Sequence, residues 1–390
     1  MRYIPRILSK RLKQYMETFP IVAVIGPRQS GKTTFARNVL ASWQYFDTER
    51  SSDYNRITGD VEFFLNEYGQ ECIIDEAQEV PALFPALRSY VDRNKSNKCR
   101  IVLLGSVNPL LVKNISESLA GRVGFLELTP FLYTEIIKPF KISIEKFWFS
   151  GGFPKLIVSK RQPQGVWLEN YIKTFVERDA LRHLQTSLSP QKQTQLLTMI
   201  AHMHGKSWNA SQIAGAFGVS YHTVNRYVDM MEQYFLVRRL QPLHANIGKR
   251  LIKQPKLFFR DTGILHQLLG ISSIELLRSS PYRGFSFEGF VIEQLIQKTL
   301  LTSNTQAHFY FYRTSQGDEI DLLIKKGAKI EAYEIKAATN VSHKDLSGFV
   351  RCLDQLQINR GNVIYFGKKD YRMNARIDVK SVKSLRDTSY

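Results

Sequence analysis

The sequence has few cysteines and no long hydrophobic run. Cys72, Cys99 and Cys352 are its three cysteines, and they lie far apart. Because they are scattered and odd in number, they predict neither a disulfide framework nor a metal knuckle. No stretch approaches the roughly 20 consecutive apolar residues that cross a bilayer. We therefore expect a protein of the reducing cytoplasm, without a membrane partner.

Acidic residues are also scarce, and their scarcity is uneven. The chain has 54 Lys and Arg against 35 Asp and Glu, a net charge of +19. Residues 1–140 hold 18 against 15, a net of +3, whereas residues 141–390 hold 36 against 20, a net of +16. Such an excess is typical of a protein that binds an anionic polymer, although solubility alone is an alternative explanation. Nucleic acid, with DNA favoured over RNA, is the expected partner.

A complete phosphate-binding loop, G-x-x-x-x-G-K-[ST], occupies residues 26–33. An apolar run at 19–25 predicts a buried strand before it, and residues 34–40 continue with helical periodicity. This context separates a nucleotide site from a glycine-rich turn that binds nothing. The predicted nucleotide contacts are Gly26, Pro27, Arg28, Gln29, Ser30, Gly31, Lys32, Thr33 and Thr34. Lys32 would reach the β- and γ-phosphates of ATP, and the Thr33 hydroxyl would hold Mg²⁺.

Two acids end the next apolar strand, at residues 72–76. Asp75 would contact Mg²⁺ through water, and Glu76 would polarise the hydrolytic water. The alternative is a surface acid pair at a strand end. A third strand, at 100–106, ends in small polar residues, of which Ser106 or Asn108 could sense the γ-phosphate. Arg122 is either an arginine finger that reaches a neighbouring subunit's nucleotide or a surface ion-pair arginine. The finger interpretation includes assembly into a homo-oligomer.

These motifs resemble the AAA-type ATPases of bacteria and archaea. Within them, the chain looks like the group that begins Gly-Pro-Arg-Gln-x-Gly-Lys-Thr-Thr and is fused to a C-terminal domain of unknown function. Further landmarks that match this group lie at 119–122, 128–135, 151–154, 171–179 and 256–263. The resemblance covers nearly the whole chain.

Residues 205–240 have the pattern of a helix-turn-helix. A short helix at 211–217 begins at a Ser cap, a Gly-Val-Ser turn follows, and a second helix covers 221–231. The strand-like segment at 235–240 would form a wing, and residues 233–260 contain seven Lys or Arg and no acid. The pattern favours a winged helix on DNA, with contacts from Tyr221, His222, Asn225 and Arg226. A winged helix that only spaces protein domains is the alternative.

A second group of carboxylates lies near the end of the sequence. Residues 317–324 and 329–338 predict neighbouring strands, and Glu334 and Lys336 share one face because they are two residues apart. Asp321 on one strand with Glu334 and Lys336 on the next is what a metal-dependent phosphodiesterase requires, with Asp321 and Glu334 holding Mg²⁺. An ordinary salt-bridged strand surface is the alternative.

This arrangement resembles the PD-(D/E)XK nuclease fold, although the proline of that motif is missing. On the preceding helix, Glu288 falls on the apolar face, where a carboxylate is costly unless it is paired or metal-bound. The resemblance implies that Glu288 lies near the metal. Glu293 falls on the opposite face, which predicts a solvated side chain.

The sequence thus predicts an α/β protein with three modules. They are a P-loop AAA-type domain with a parallel sheet (1–140), a helical and winged-helix connector (141–270) and a restriction-endonuclease-like α/β domain (271–390). One hypothesis is an ATP-hydrolysing, DNA-processing enzyme that cleaves phosphodiester bonds with Mg²⁺. The other is an ATP-gated DNA-binding switch whose nuclease fold is inactive.

Overall fold

The chain folds into two compact units, as given by a computed structural model that describes residues 3–94, 100–106, 118–159, 163–180, 188–243 and 254–386. The first unit consists of Met1–Phe131, Phe153–Val158 and Gln233–Phe235, and the second of Leu132–Gly152, Ser159–Glu232 and Leu236–Tyr390. The three predicted modules are a different and finer division, which stays a prediction.

The regular elements of the described residues are as follows. The helices are α1 (Leu8–Thr18), α2 (Lys32–Val39), α3 (Ser51–Gly59), α4 (Val61–Tyr68), α5 (Leu83–Arg93), α6 (Tyr133–Phe140), α7 (Ile144–Ser150), α8 (Pro154–Val158), α9 (Gln164–Thr174), α10 (Pro190–Ala201), α11 (Ala210–Phe217), α12 (Tyr221–Gln233), α13 (Thr262–Leu268), α14 (Ile274–Ser279), α15 (Arg283–Thr302) and α16 (Ser347–Gln355). The strands are β1 (Ile21–Gly26), β2 (Gln44–Asp47), β3 (Cys72–Asp75), β4 (Ile101–Ser106), β5 (Val123–Glu127), β6 (Val237–Pro242), β7 (Lys256–Phe259), β8 (Ala307–Arg313), β9 (Glu319–Lys326), β10 (Lys329–Lys336), β11 (Gly361–Tyr365), β12 (Tyr371–Arg372) and β13 (Ile377–Ser381).

The first unit is built on a five-stranded sheet in the order β2-β3-β4-β1-β5. Every pairing in it is parallel. The apolar strands predicted at 19–25, 72–76 and 100–106 are its three central members, which agrees with burial of both faces of a parallel sheet. The carboxyl ends of β1, β3 and β4 share one edge, and they carry Gly26, Asp75 and Ser106. Because β4 lies between β1 and β3, the phosphate loop and Asp75 flank the end of β4 at this edge.

The second unit contains an eight-stranded mixed sheet in the order β12-β13-β11-β10-β9-β8-β6-β7. The central hairpin of β9 and β10 is antiparallel, and it matches the two strands predicted there. Helix α15 packs against both of these strands. Residues of β7, of α15 and of the β9–β10 hairpin, which are distant in sequence, therefore belong to one sheet and the helix that packs on it.

Helices α11 and α12 form the predicted helix-turn-helix. Helix α11 begins one residue earlier than predicted, because the side chain of Asn209, rather than Ser211, accepts the hydrogen bonds that cap it. Gly218 ends it in the left-handed conformation that the turn requires (φ +69°). The strand that follows, β6, pairs with β7 as a hairpin and with β8 in the large sheet. The winged-helix interpretation of these elements stays a prediction.

No helix among the described residues is both long enough and apolar enough to cross a membrane.

Candidate functional site

The phosphate loop connects β1 to α2 with two glycines in special conformations. Gly31 immediately precedes α2 with a left-handed backbone (φ +93°). A Cβ atom on Gly26 would collide with the carbonyl oxygen of Leu128, so a larger residue would displace the backbone. Because both positions require glycine, the loop can turn tightly and direct the amides at the start of α2 toward its centre.

Lys32 lies across this loop. Its Nζ donates hydrogen bonds to the carbonyl oxygens of Gly26 and Pro27, at 3.0 Å each. Burial lowers the pKa of Lys32 to about 8, although the carboxylates of Glu76 and Asp75 raise it in part. The only lysine of the motif is therefore held in the loop by backbone acceptors that a phosphate could replace.

Thr33 and Asp75 meet at the edge of the sheet. The Thr33 hydroxyl donates to Asp75 Oδ2 at 2.6 Å, and the Tyr45 hydroxyl donates to the same oxygen at 2.8 Å. Burial raises the pKa of Asp75, and these two hydrogen bonds offset the effect only in part. A buried carboxylate beside a hydroxyl suits a hydrated Mg²⁺ ion, because Mg²⁺ prefers oxygen ligands and keeps several waters. The residues present thus fit the ion that the sequence predicts.

Glu76 follows directly in an unusual backbone conformation. Its φ of +51° is left-handed, which is rare for a residue other than glycine. The Thr48 hydroxyl donates to the Glu76 carbonyl at 2.7 Å, and the Gln78 side-chain amide donates to the Glu76 carboxylate. Glu76 is therefore held by two residues, Thr48 and Gln78, that sequence reasoning missed.

Arg6 supports the phosphate loop, and sequence reasoning did not identify this role. It is buried, and its guanidinium donates to the carbonyl oxygens of Ser30 (3.3 Å) and Thr129 (2.6 Å). The guanidinium also lies 4.6 Å from the centre of the Phe131 ring. Its basic sequence neighbourhood gave no signal of this role, since the partners are backbone carbonyls.

Arg122 forms a two-pronged ion pair with Asp92 of α5, at 2.8 and 2.9 Å. This is the geometry of the surface ion-pair interpretation, and the arginine-finger interpretation stays a prediction. Ser106 ends β4 at the edge where Asp75 lies. Asn108 lies outside the described residues.

Asp321, Glu334 and Lys336, which the sequence predicts as a site in the second unit, lie close together in the structure. Asp321 Oδ2 accepts a hydrogen bond from the backbone N–H of Ile335 at 2.7 Å, which places it against β10. On the same strand, Lys336 Nζ donates to Glu334 Oε1 at 2.6 Å. The other oxygen of Glu334, Oε2, is buried and has no hydrogen-bond partner among the described residues.

Lys256, at the start of β7, lies among the carboxylates of this cluster. Its Nζ is 2.7 Å from Glu288 Oε1, contacts the Glu319 carboxylate and lies 3.9 Å from Asp321 Oδ1. Glu288 thus lies in the cluster with a lysine as its direct partner, and its position near a metal stays a prediction. Sequence reasoning assigned no role to Lys256 or Glu319, because a lysine at a strand start gives no sign of pointing inward.

The cluster contains four carboxylates, two ammonium groups and the Arg313 guanidinium, which lies 3.5 Å from Glu319 Oε2, so it carries one negative charge when all are ionised. Burial raises the pKa of Glu334 well above its ordinary value, and the charge of Asp321 adds to this effect. Burial would lower the pKa of Lys256, but the carboxylates around it outweigh burial and raise that pKa. The excess negative charge and the unpartnered Glu334 oxygen fit a divalent cation on the Glu334 side of Asp321.

The prediction for Glu293 is wrong. Instead of facing water, it is buried and binds two guanidinium groups, from Arg238 at 2.9 Å and Arg260 at 2.7 Å. Burial alone would raise the pKa of Glu293, but the two arginines outweigh it and lower the pKa to about 2. Glu293 is therefore part of the interior of the second unit.

The basic segment at 233–260 is largely neutralised by such pairs. Four of its seven cations lie in ion pairs with acids of the same unit, namely Arg238, Arg239, Lys256 and Arg260. The other three lie at 249, 250 and 253, outside the described residues. The charge of this segment is therefore not a simple measure of a basic surface.

The proposed contacts on α12 differ in exposure. Tyr221, His222 and Arg226 are exposed, and the rings of Tyr221 and His222 lie 3.8 Å apart. Asn225 instead accepts a hydrogen bond from the indole N–H of Trp208 at 2.9 Å. Their role in nucleic-acid binding stays a prediction.

Comparison with known families identifies the domain type of the first unit. Residues 18–137 match the family described as an AAA domain, and residues 141–275 and 283–385 match two domains of unknown function, DUF8612 and DUF4143. The parallel sheet, the phosphate loop and this match define an AAA-type P-loop domain of the ATPase class, fused to C-terminal regions of unknown function.

The chain belongs to the same family as the uncharacterized protein Rv2008c of Mycobacterium tuberculosis (strain H37Rv). The two are 36% identical over 373 residues, which cover 95% of this chain and 81% of the relative. The uncharacterized protein Mb2031c of Mycobacterium bovis matches with the same identity and coverage.

Two solved structures show looser likenesses. The Walker-type ATPase PABY2304 of Pyrococcus abyssi is 15% identical, with a TM-score of 0.45 over 67% of this chain and 94% of that one. The RuvB Holliday junction branch migration motor of Thermotoga maritima is 17% identical, with a TM-score of 0.31 over 60% and 90%. The family match, rather than these structures, identifies the first unit.

Proposed function

We propose that the first unit binds ATP with Mg²⁺ and hydrolyses it. The observation that carries this proposal is the hydrogen bond between Thr33 and Asp75 beside a phosphate loop that Lys32 spans. Thr33 lies in the first turn of α2 and Asp75 at the end of β3, 42 residues apart in sequence. A hydroxyl, a carboxylate and a lysine at the end of a glycine loop are the groups that a nucleoside triphosphate site requires.

Each residue has a defined part in this proposal. Lys32 exchanges its carbonyl partners for the β- and γ-phosphates, while amides at the start of α2 donate to phosphate oxygens. Thr33 and Asp75 would hold Mg²⁺, which when bound neutralises phosphate charge. Glu76 orients the attacking water, and the hydrogen bond from Gln78 fixes its carboxylate. Arg6 keeps the loop in register through Ser30.

Phosphate release by the purified chain tests this function. Lys32→Ala removes the cation that contacts the phosphates, and Glu76→Gln removes the group that polarises water. We expect both to abolish turnover, while Glu76→Gln still binds ATP. Glu62→Gln is the matched control, because Glu62 lies in the same unit, has a side chain that is 61% exposed and forms a surface bridge with Arg93. Unchanged turnover in Lys32→Ala would refute the assignment of the loop.

For the second unit, we propose binding of nucleic acid, with DNA favoured, under the control of ATP. The net charge of +16 in residues 141–390 supports an anionic partner. One version adds Mg²⁺-dependent cleavage of phosphodiester bonds. The unpartnered oxygen of Glu334 beside Asp321 favours it, because two carboxylates that share excess charge suit a metal. In the other version the fold only binds, as an ATP-gated switch.

Labelled branched, duplex and single-stranded DNA separate these versions. The chain is incubated with each in Mg²⁺, with and without ATP, beside Glu334→Gln. Cleavage that the substitution abolishes, with DNA binding retained, would establish a nuclease. Binding without cleavage, equal in both proteins and dependent on ATP, would establish the switch. Absence of binding to every DNA would refute both versions.

A further inference from the structure

The ammonium group of Lys256 is buried within the acidic cluster of the second unit. Its side chain is only 4% exposed. Its Nζ also lies 5.9 Å from the ring centre of Phe258 and 5.7 Å from that of Phe311. Aromatic faces attract a cation, and these contacts add to the ion pairs. The amine therefore has both carboxylates and aromatic rings, which favour positive charge, among its neighbours.

The carboxylates around this amine are spaced as metal ligands would be. One oxygen from each of Glu288, Glu319 and Asp321 lies within 4.8 Å of the other two. Oxygen atoms at this spacing can meet at one divalent ion. The Lys256 ammonium already contacts the first two and lies 3.9 Å from the third. A divalent ion bound to the same oxygens would share its position with another cation.

We propose that the Lys256 ammonium is the resident cation of the Glu288–Glu319–Asp321 group and excludes a divalent ion from it. A divalent ion that enters the cluster is then restricted to the other side of Asp321, where Glu334 has its unpartnered oxygen. The cluster accommodates at most one such ion, because a lysine takes the place of a second. This inference concerns the second unit alone and does not depend on ATP hydrolysis.

Mn²⁺ titration of the nucleotide-free full chain tests the proposal, with bound ion counted by electron paramagnetic resonance. The variants are Lys256→Met, which keeps the length of the side chain without its charge, and Lys256→Met combined with Glu319→Gln. We expect Lys256→Met to bind one more Mn²⁺ per chain than the wild type. The extra ion should bind at least tenfold more weakly in the double variant, since loss of a metal-site partner changes affinity by about 10–100-fold.

A second measurement keeps the proposal testable where Lys256→Met fails to fold. Glu319→Gln in the wild-type background changes a carboxylate that contacts Lys256 and Arg313. We expect the affinity of the wild-type chain for Mn²⁺ to stay within about threefold of its original value, below the range for a lost metal-site partner. A loss of tenfold or more would show that the ion displaces Lys256 and would overturn the proposal. Equal Mn²⁺ stoichiometry in the wild type and a folded Lys256→Met would overturn it too.

Discussion

Replacement of Glu293 by glutamine is the most direct test of how the second unit is held together. Glu293 lies on α15 and accepts hydrogen bonds from Arg238 on β6, from Arg260 just after β7, and from Gln297. Glutamine keeps the size of the side chain and removes its charge. Two guanidinium groups, with side chains 21% and 8% exposed, would then remain beside a neutral partner.

The expected cost follows from the pKa of Glu293. The structure lowers it from 4.5 to about 2. A shift of this size corresponds to roughly 3 kcal/mol between the ionised and protonated forms, at 1.36 kcal/mol per pKa unit. Removal of one partner from a buried ion pair usually costs about 3–5 kcal/mol. We therefore expect Glu293→Gln to lower the free energy of unfolding of the second unit by about 3 kcal/mol.

Urea unfolding followed by tryptophan fluorescence measures this change. Trp148, Trp167 and Trp208, three of the four tryptophans, are buried in the second unit. With an m-value of about 2 kcal/mol per molar, the unfolding midpoint should fall by roughly 1.5 M. ATP turnover in the absence of urea reports separately on the first unit. The control, Glu145→Gln, breaks a bridge to a largely exposed arginine, and its midpoint should move much less.

The same substitution predicts a dependence on pH. The folded-state pKa of Glu293 lies below its unfolded value, so its stabilisation is present above pH 4.5 and is lost as pH falls toward 2. The difference between the wild type and Glu293→Gln should therefore shrink steadily below pH 4.5. A midpoint within 0.3 M of the wild type at pH 7 would show that the arginines do not need this charge and would refute the reasoning.

Two further predictions concern the first unit. Arg6→Ala removes hydrogen bonds from a charged donor to the loop, so it should destabilise that unit by about 1.5–3 kcal/mol, measured by thermal unfolding. It should also raise the KM for ATP, measured by phosphate release. An unchanged KM would show that Arg6 contributes to the stability of the unit and not to ATP binding. Arg122→Ala should slow ATP turnover by about 10³-fold if Arg122 is an arginine finger, while Asp92→Asn, which keeps that arginine, stays near the wild type. Equal small effects of the two substitutions would restrict Arg122 to its surface ion pair.

The position of the phosphate loop beside Asp75 could be predicted from sequence because its signals are local or follow from strand polarity. The loop, its strand and its helix are contiguous, and an acid that ends a parallel strand lies at the same sheet edge as the loop. The supports of that site could not be predicted. Arg6 binds backbone carbonyls more than a hundred residues away in one case, and backbone acceptors leave no trace in side-chain patterns. Glu76 adopts a left-handed backbone that its residue type does not indicate.

The second unit shows where helical periodicity fails. The apolar face of α15 was correctly assigned, and Glu288 lies on it. Periodicity places Glu293 on the opposite face and predicts that its side chain meets water. In the structure residues 286–293 of this helix are all buried, so no face of that stretch meets water. Periodicity identifies the more apolar side of a helix, but it does not show whether the polar side is covered by other elements of the fold.

Charge counted along the sequence likewise does not show which side chains are held in ion pairs. This matters for where nucleic acid would bind. The cations at 238, 256 and 260 are paired with acids 32 to 63 residues further along the chain, which a count over 233–260 cannot include. A phosphate backbone attracts only charge that it can approach. Within the described residues of this region, Tyr221, His222 and Arg226 lie exposed on α12, whereas the basic strands that follow it are neutralised. The helix, rather than the strands, is therefore the part of the helix-turn-helix region where substitutions should alter DNA affinity.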